Sequence, residues 1–102
     1  MSGTVERPGP ADETLMWEVR CEPGRGSELL AWAWQALLPS FAADERVAAW
    51  NVYRSAAPDG ERLVVIVDYD GKARAGWEPP APPPGLAARD PHQWVFERLD
   101  VR

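Results

Sequence analysis

The hydrophobic and polar positions of this chain point to four short strands. The most apolar stretch, Leu63 to Tyr69, is too short for an independent buried helix and consists of strand-forming residues. Pro58-Asp59-Gly60 before it and Asp70-Gly71 after it are typical of turns. Alternation of apolar and polar residues predicts further strands at 14–22, 47–55 and 93–101. The strand from Leu63 to Tyr69, the third along the chain, is apolar on both faces, so we expect it to be central and covered on both sides.

One helix is predicted between the first two strands. Pro23-Gly24-Arg25-Gly26 ends the first strand, and Ser27 is the expected N-cap. The helix extends to about Leu38, and Pro39 either stops it or begins a second turn. Trp32 lies on the polar side, where we expect it to be exposed in the protomer or covered by something else. Steps of about 100° per residue predict a buried stripe of Leu30, Ala33, Trp34, Leu37 and Phe41, with Leu29 at its margin.

After Gly71 the sequence loses its periodicity. The Pro-rich segment 79–85 can form neither a helix nor an inner strand, so we expect an extended spacer in place of a second helix. Residues 1–13 also lack apolar periodicity and are predicted to be a disordered tail. The remaining residues, 14–102, are predicted to form a single domain.

Composition removes several classes of function. A net charge of −5, with 11 cations scattered among 16 acids, argues against nucleic acid as a partner. The single Cys21 and single His92 predict no intramolecular disulfide, no metal site and no cofactor; we expect Cys21 in the core and His92 at the surface. No apolar run is long enough for a membrane span, and the N-terminus does not resemble a signal peptide, which predicts a cytoplasmic protein.

The order of the predicted elements is a ferredoxin-like α+β plan with a four-stranded antiparallel sheet and one main helix. Within it, Val19-Arg20-Cys21-Glu22-Pro23-Gly24 resembles the first strand and turn of the dimeric α/β-barrel superfamily that includes the antibiotic-biosynthesis monooxygenase-like proteins. Val52-Tyr53-Arg54-Ser55 and Val67-Asp68-Tyr69-Asp70 are similar to its middle hairpin. The resemblance implies a homodimer whose two sheets form a dimeric α/β barrel around a pocket. In the family, the second helix often carries a catalytic histidine. The chain departs from the family there, because it has a Pro-rich segment in place of that helix.

The hairpin register decides which residues would line that pocket. Pairing the strands symmetrically about Asp59 places Asn51 opposite Val67 and Tyr53 opposite Val65. A slip of one residue would invert the faces. Trp50, Val52, Val64, Ile66 and Asp68 are then predicted to meet the helix. The predicted ligand-binding residues, on the other face, are Asn51, Tyr53, Tyr69, Trp94 and Arg20. Glu18 and Arg98 are expected to line the same face.

Two functions follow as expectations. The first is a homodimer that binds a small apolar or aromatic molecule. The resemblance implies cofactor-independent monooxygenase chemistry for it, which needs an aromatic side chain and an amide donor beside a planar phenolic substrate. Asn51, with Tyr53 or Trp94, would fill these roles. The second is a non-catalytic dimeric interaction module in which the same aromatic side chains are packing.

Overall fold

The structure, a computed structural model, describes residues 12–57, 60–74 and 77–99. The predicted tail lies outside the described residues as far as residue 11. Four strands form one antiparallel sheet in the order β2-β3-β1-β4. They are β1 (Glu13–Arg20), β2 (Val47–Ala57), β3 (Gly60–Tyr69) and β4 (His92–Glu97). This sheet with its single helical segment confirms the predicted α+β, ferredoxin-like architecture.

The two central strands alternate between buried and half-buried residues. Side chains that point to one side of β1 and β3 are less than 5% exposed and pack against the helix; they are Leu15, Trp17 and Val19 with Leu63, Val65, Val67 and Tyr69. We call this side of the sheet the helix face and the opposite side the open face. On the open face the central residues Met16, Val64 and Ile66 are only half-buried.

The hairpin register differs by one residue from the prediction, which was wrong. The first pair across the connection is Ala57 with Gly60, so the strands are not centred on Asp59. Asn51 therefore lies opposite Ile66, and Tyr53 opposite Val64. Neighbouring residues of a strand point to opposite sides of the sheet. Relative to β2, this shift therefore puts every β3 side chain on the face opposite to the predicted one.

The helix, α1, is one run over residues 26–42 in three parts. An α-helical part, Gly26–Trp32, is followed by a π-helical part, Ala33–Leu37, and a second α-helical part, Leu38–Ala42. Pro39 is therefore the second residue of the last part and does not stop the helix. A proline ring lacks the N–H group and clashes with the carbonyl four residues earlier in a regular α-helix. The wider π turn immediately before Pro39 relaxes that clash.

The π-helical part also changes which residues are buried. The buried residues include Leu29, Ala33, Leu37 and Phe41, each four positions from the next, whereas Trp34 is 55% exposed. Four-residue steps drift by about 40° each on an α-helix with 3.6 residues per turn. A π turn, with its i to i+5 hydrogen bonds, contains more residues and cancels part of that drift. The predicted stripe was therefore wrong at Trp34, because it assumed a regular helix, whereas Leu30 is half-buried and packs against the core.

The helix begins earlier than predicted. It starts at Gly26, and the N-cap residue is Arg25, which makes no side-chain capping bond. Ser27 is exposed and lies inside the first turn, so its predicted role as the N-cap was wrong. A Cβ atom at Gly26 would lie 2.5 Å from the carboxylate oxygens of Glu61 on β3. These atoms are the end of a flexible side chain, so a larger residue at position 26 would require Glu61 to move but not the backbone.

The crossover between β3 and β4 takes the place of a second helix. Its Pro-rich part contains neither helix nor strand, as predicted. The ring of Trp77 packs edge-on against Phe41 of α1 at 5.5 Å, and Leu86 is buried in the core. Ala87 forms an isolated bridge with Cys21 just beyond β1. Helix α1 and this crossover thus cover the same side of the sheet. No helix of the described residues is long and apolar enough to cross a membrane.

Trp32 and Trp34 provide a matched test of the helix. Trp32 is half-buried and packs on Trp17, with 6.2 Å between ring centroids, so it is covered by the core of its own chain. We expect Trp32→Ala to lower the free energy of unfolding by about 2 kcal/mol through loss of this packing. Trp34→Ala should change it by less than about 0.5 kcal/mol. Urea denaturation followed by circular dichroism measures both, and the reverse order would contradict the observed burial.

Candidate functional site

The open face brings four of the five predicted site residues to one side of the sheet. The strand registers place Asn51, Ile66, Met16 and Trp94 in one row across all four strands. The next row consists of Tyr53, Val64, Glu18 and His92. Strands lie about 4.8 Å apart, so Asn51 and Trp94 are separated by roughly 14 Å. They therefore do not touch but bound an apolar floor formed by the central residues between them.

The aromatic residues of the open face are strongly exposed. Tyr53 is 52% exposed, Trp94 44% and Phe96 50%. The ring of His92 stacks on Trp94 at 5.9 Å between centroids. Exposed apolar patches of this kind mark sites of binding or association. The sheet thus presents three large aromatic side chains around a half-buried aliphatic floor.

Arg20, the fourth of these residues, lies at one end of the face. It pairs in register with Arg62, whose guanidinium is 3.8 Å from the Glu18 carboxylate. Four residues along β1 separate Arg20 from Met16, which corresponds to roughly 13 Å. A small ring bound over the floor therefore does not reach Arg20, whereas an elongated ligand does.

Tyr69, the fifth predicted residue, lies on the opposite side of the sheet. It is 1% exposed on the helix face, because the register is shifted by one residue. Burial raises the pKa of its phenol above the ordinary value of 10.0. The negative charge of Asp44 raises this pKa further, while Arg46 and Arg74 lower it. Tyr69 is thus a core residue and is not brought together with the other four.

Arg98, which was expected on this face but was not named as a ligand-binding residue, closes the other end of the open face. The guanidinium of Arg98 donates to the backbone oxygen of Tyr69 at 2.8 Å and to the hydroxyl of Thr14 at 3.1 Å. It also lies 3.3 Å from the Asp68 carboxylate, which accepts a 2.8 Å hydrogen bond from Thr14. This network ties together the ends of β1, β3 and β4. The sequence signals were Asp68, the only charge inside the apolar run of β3, and the alternation that put Arg98 on the same side of the last strand as Trp94.

The two residue types that most often carry nucleophilic or acid–base chemistry do not form such a site here. Cys21 is buried, as predicted, and burial raises the pKa of its thiol, with a further increase from Glu61. A thiol in that state stays protonated at neutral pH and is a poor nucleophile. His92, exposed at the start of β4, faces Trp94. Among the described residues no cluster of His, Cys, Asp and Glu could hold a metal ion.

A shallow cleft lies where the crossover approaches the start of β4. Its volume is about 370 Å³, and it is lined by the buried Trp17, by prolines of the crossover and by Glu78, Asp90 and His92. None of the five predicted ligand-binding residues lines it. This cleft was not predicted, because it depends on how the Pro-rich crossover returns to the sheet.

Comparisons of the chain with protein-family models, with curated proteins and with solved structures find no match. The geometry of the open face is therefore what any functional assignment must rest on.

The placement of Tyr69 predicts a specific loss of stability at high pH. The folded protein keeps this phenol neutral, whereas the unfolded chain ionises it near pH 10.0. Its contribution is fully present below that pH and is lost as the pH rises towards the higher folded pKa. Tyr69→Phe lacks the group. Relative to wild type, the variant should therefore gain up to about 1.4 kcal/mol per pH unit above about pH 10.

Urea denaturation of the wild type and of Tyr69→Phe at about pH 8 and about pH 11 measures this difference. Other titrating groups are common to the two proteins and cancel. A difference in unfolding free energy that does not change with pH would show that the folded state does not hold the phenol neutral.

Proposed function

We propose that the open face binds a small, planar, apolar or aromatic molecule, and that a second copy of the chain closes the site. The observation that carries this proposal is the row in which Asn51 and Trp94 bound the apolar floor of Met16 and Ile66. Small-molecule sites usually combine such apolar lining with a few polar groups that fix orientation. Here those polar groups are the amide of Asn51 and the hydroxyl of Tyr53, joined by the guanidinium of Arg20 when the ligand is long enough to reach it.

The need for a second copy follows from the shape of a single sheet. One open face is not a cavity, and the exposed rings of Tyr53, Trp94 and Phe96 would remain in water. Two four-stranded sheets that close into an eight-stranded barrel turn both open faces inward. Such a barrel has room for one small ligand, and this is the arrangement that the resemblance to the dimeric α/β-barrel superfamily implies.

The finer proposal is cofactor-independent oxygenation of the bound molecule. In such a step a phenolic substrate with an activated CH₂ group reacts with O₂, and the CH₂ becomes a carbonyl. The second oxygen atom leaves as water with the two hydrogens that the carbon loses, so the substrate supplies all the electrons. Asn51 would donate a hydrogen bond to the anionic oxygen of the substrate, and Trp94 would stack on its ring. Neither role needs a metal or an organic cofactor.

The alternative is a non-catalytic dimeric interaction module. It is favoured by the bulk of the side chains, because the interior of an eight-stranded barrel can be filled by side chains alone. Two copies of Tyr53, Trp94, Phe96 and Met16 would supply much of that volume. The two functions differ in whether space for a ligand remains between the copies.

Intrinsic fluorescence distinguishes them, because Trp94 is the tryptophan of the open face. Trp17, Trp32, Trp34, Trp50 and Trp77 lie on α1, on the helix face or in the crossover. We expect an anthrone-type phenol or a hydrophobic dye to quench the wild type and to quench Trp94→Phe much less. Asn51→Ala should weaken binding about 3- to 10-fold through loss of one hydrogen bond.

Trp50→Phe is the matched control, because Trp50 precedes Asn51 on β2 but points to the helix face. Its affinity for the ligand should equal that of the wild type. Oxygen consumption with the phenol, abolished by Asn51→Ala, would support the finer proposal. A dimer that no ligand quenches would favour the interaction module, and quenching that survives Trp94→Phe would place the ligand elsewhere.

A further inference from the structure

The free edge of β4 is the most unprotected backbone among the described residues. All six residues of this strand are exposed, and among the described strands β1 is its only neighbour in the sheet. Natural edge strands are usually guarded by lysine, by proline or by a bulge. The other edge strand, β2, has an irregularity in its pairing between Val47 and Ala49. The sequence of β4, His-Gln-Trp-Val-Phe-Glu, contains no lysine and no proline, its one carboxylate, Glu97, is the last residue of the strand, and its register with β1 is continuous.

The direction of the backbone groups along β4 can be read from the hydrogen bonds around it. Arg98 donates its N–H to the Asp12 carbonyl at 2.8 Å, so the even-numbered residues of β4 direct their backbone groups towards β1. The hydrogen bonds of β1 agree with this assignment. Cys21 donates to the Glu61 carbonyl at 2.9 Å, so the odd-numbered residues of β1 direct their backbone groups towards β3 and the even-numbered ones towards β4. By alternation, Gln93, Val95 and Glu97 direct their N–H and C=O groups to the free edge.

We propose that β4 pairs antiparallel with β4 of a second copy, with Val95 opposite Val95 across a two-fold axis. In this register Gln93 of each copy lies opposite Glu97 of the other. All three outward-facing residues then exchange both of their backbone hydrogen bonds, which gives six bonds across the edge. The two sheets would join into one sheet of eight strands.

The side chains of this register are complementary. Trp94 of each copy lies opposite Phe96 of the other in a non-hydrogen-bonded pair, where side chains approach most closely. Both rings are on the open face and are about half exposed in the single chain. On the helix face, the amide of Gln93 can donate to the Glu97 carboxylate, and the two Val95 side chains meet; Val95 is 50% exposed in the single chain.

The neighbouring register in which the two-fold axis passes through Trp94 is less favourable. Moving the axis to Trp94 places Glu97 opposite Pro91, which has no N–H group to donate. Trp94 would then meet its own copy, and Phe96 would meet His92. Registers between these two are excluded, because residues opposite each other must point to the same face when a two-fold axis relates the sheets.

This pairing deepens the proposed function, on which it rests for the homodimer. It joins the two open faces side by side, so that curling of the eight strands would line a barrel with Asn51, Tyr53 and Trp94 of both copies. The edge contact itself requires no ligand, so the two proposals can fail separately.

Val95→Pro tests the edge. The N–H of Val95 faces away from β1, so proline removes edge bonds without breaking the intramolecular ladder. We expect Val95→Pro to raise the dimer dissociation constant about tenfold or more, whereas Val95→Thr, which keeps the N–H, should stay dimeric. Sedimentation equilibrium measures the mass, and circular dichroism shows whether the variant is folded.

Cross-linking tests the register in a variant that keeps the backbone intact. Directly opposed Cα atoms in a hydrogen-bonded pair are about 5.5 Å apart, within disulfide range, so oxidised Val95→Cys should give a covalent dimer on a non-reducing gel. Trp94→Cys should not. The native Cys21 is buried and is present in both variants, so any cross-linking through it would be the same in both.

The outcomes separate the proposals. A covalent Val95→Cys dimer supports the pairing even if no ligand binds. A dimeric wild type with dimeric Val95→Pro and no Val95→Cys cross-link overturns the pairing and leaves association through another surface. Preferential cross-linking of Trp94→Cys overturns the register. A monomeric wild type that binds the phenol overturns the pairing and the closure of the site by a second copy, but not ligand binding by the open face.

Discussion

The pairing of β1 with β3 is the constraint on which the rest of this fold depends. Its register places Leu15, Trp17 and Val19 beside the odd-numbered apolar residues of β3 on one face. Helix α1 and the crossover bury that face almost completely. Since both cover the same side, the apolar residues on the other face of the same strands have no second layer in the described part of the chain. The exposed aromatic residues and the half-buried floor are consequences of this one-sided cover.

Irregular structure in α1 and in the crossover allows these two elements to pack against the helix face. The π-helical part of α1 aligns residues spaced by four along the core and accommodates Pro39 within the helix. The crossover uses the single large ring of Trp77 and the side chain of Leu86 where a ferredoxin-like fold commonly has a second helix. A proline-rich segment loses little conformational entropy on ordering, which suits a cover that has few side chains to bury.

The polar groups of the structure hold the edges of the sheet and leave the centre of the open face apolar. Arg98 joins three strands at one end through two backbone oxygens, a hydroxyl and nearby carboxylates. Arg62 and Glu18 approach each other towards the opposite end. Between these ends, Asn51 carries the one side-chain amide among the described residues of the open face, which is why the functional proposal depends on it. The unguarded edge of β4 adjoins the same surface, so association and ligand binding would involve one continuous region.

Local pattern in the sequence determined the strands to within a few residues, the helix, the Pro-rich crossover and the ferredoxin-like plan. It also put Asn51, Tyr53, Arg20 and Trp94 on a common face, because alternation within each strand is a local property. The placement of Tyr69 depended on the hairpin register, and the sequence is compatible with two registers one residue apart. Tertiary packing decided between them, since only the observed one buries Leu63, Val65, Val67 and Tyr69 beneath the helix while Asp68 reaches Arg98. The same packing selected the π turn, which a regular helical wheel cannot anticipate.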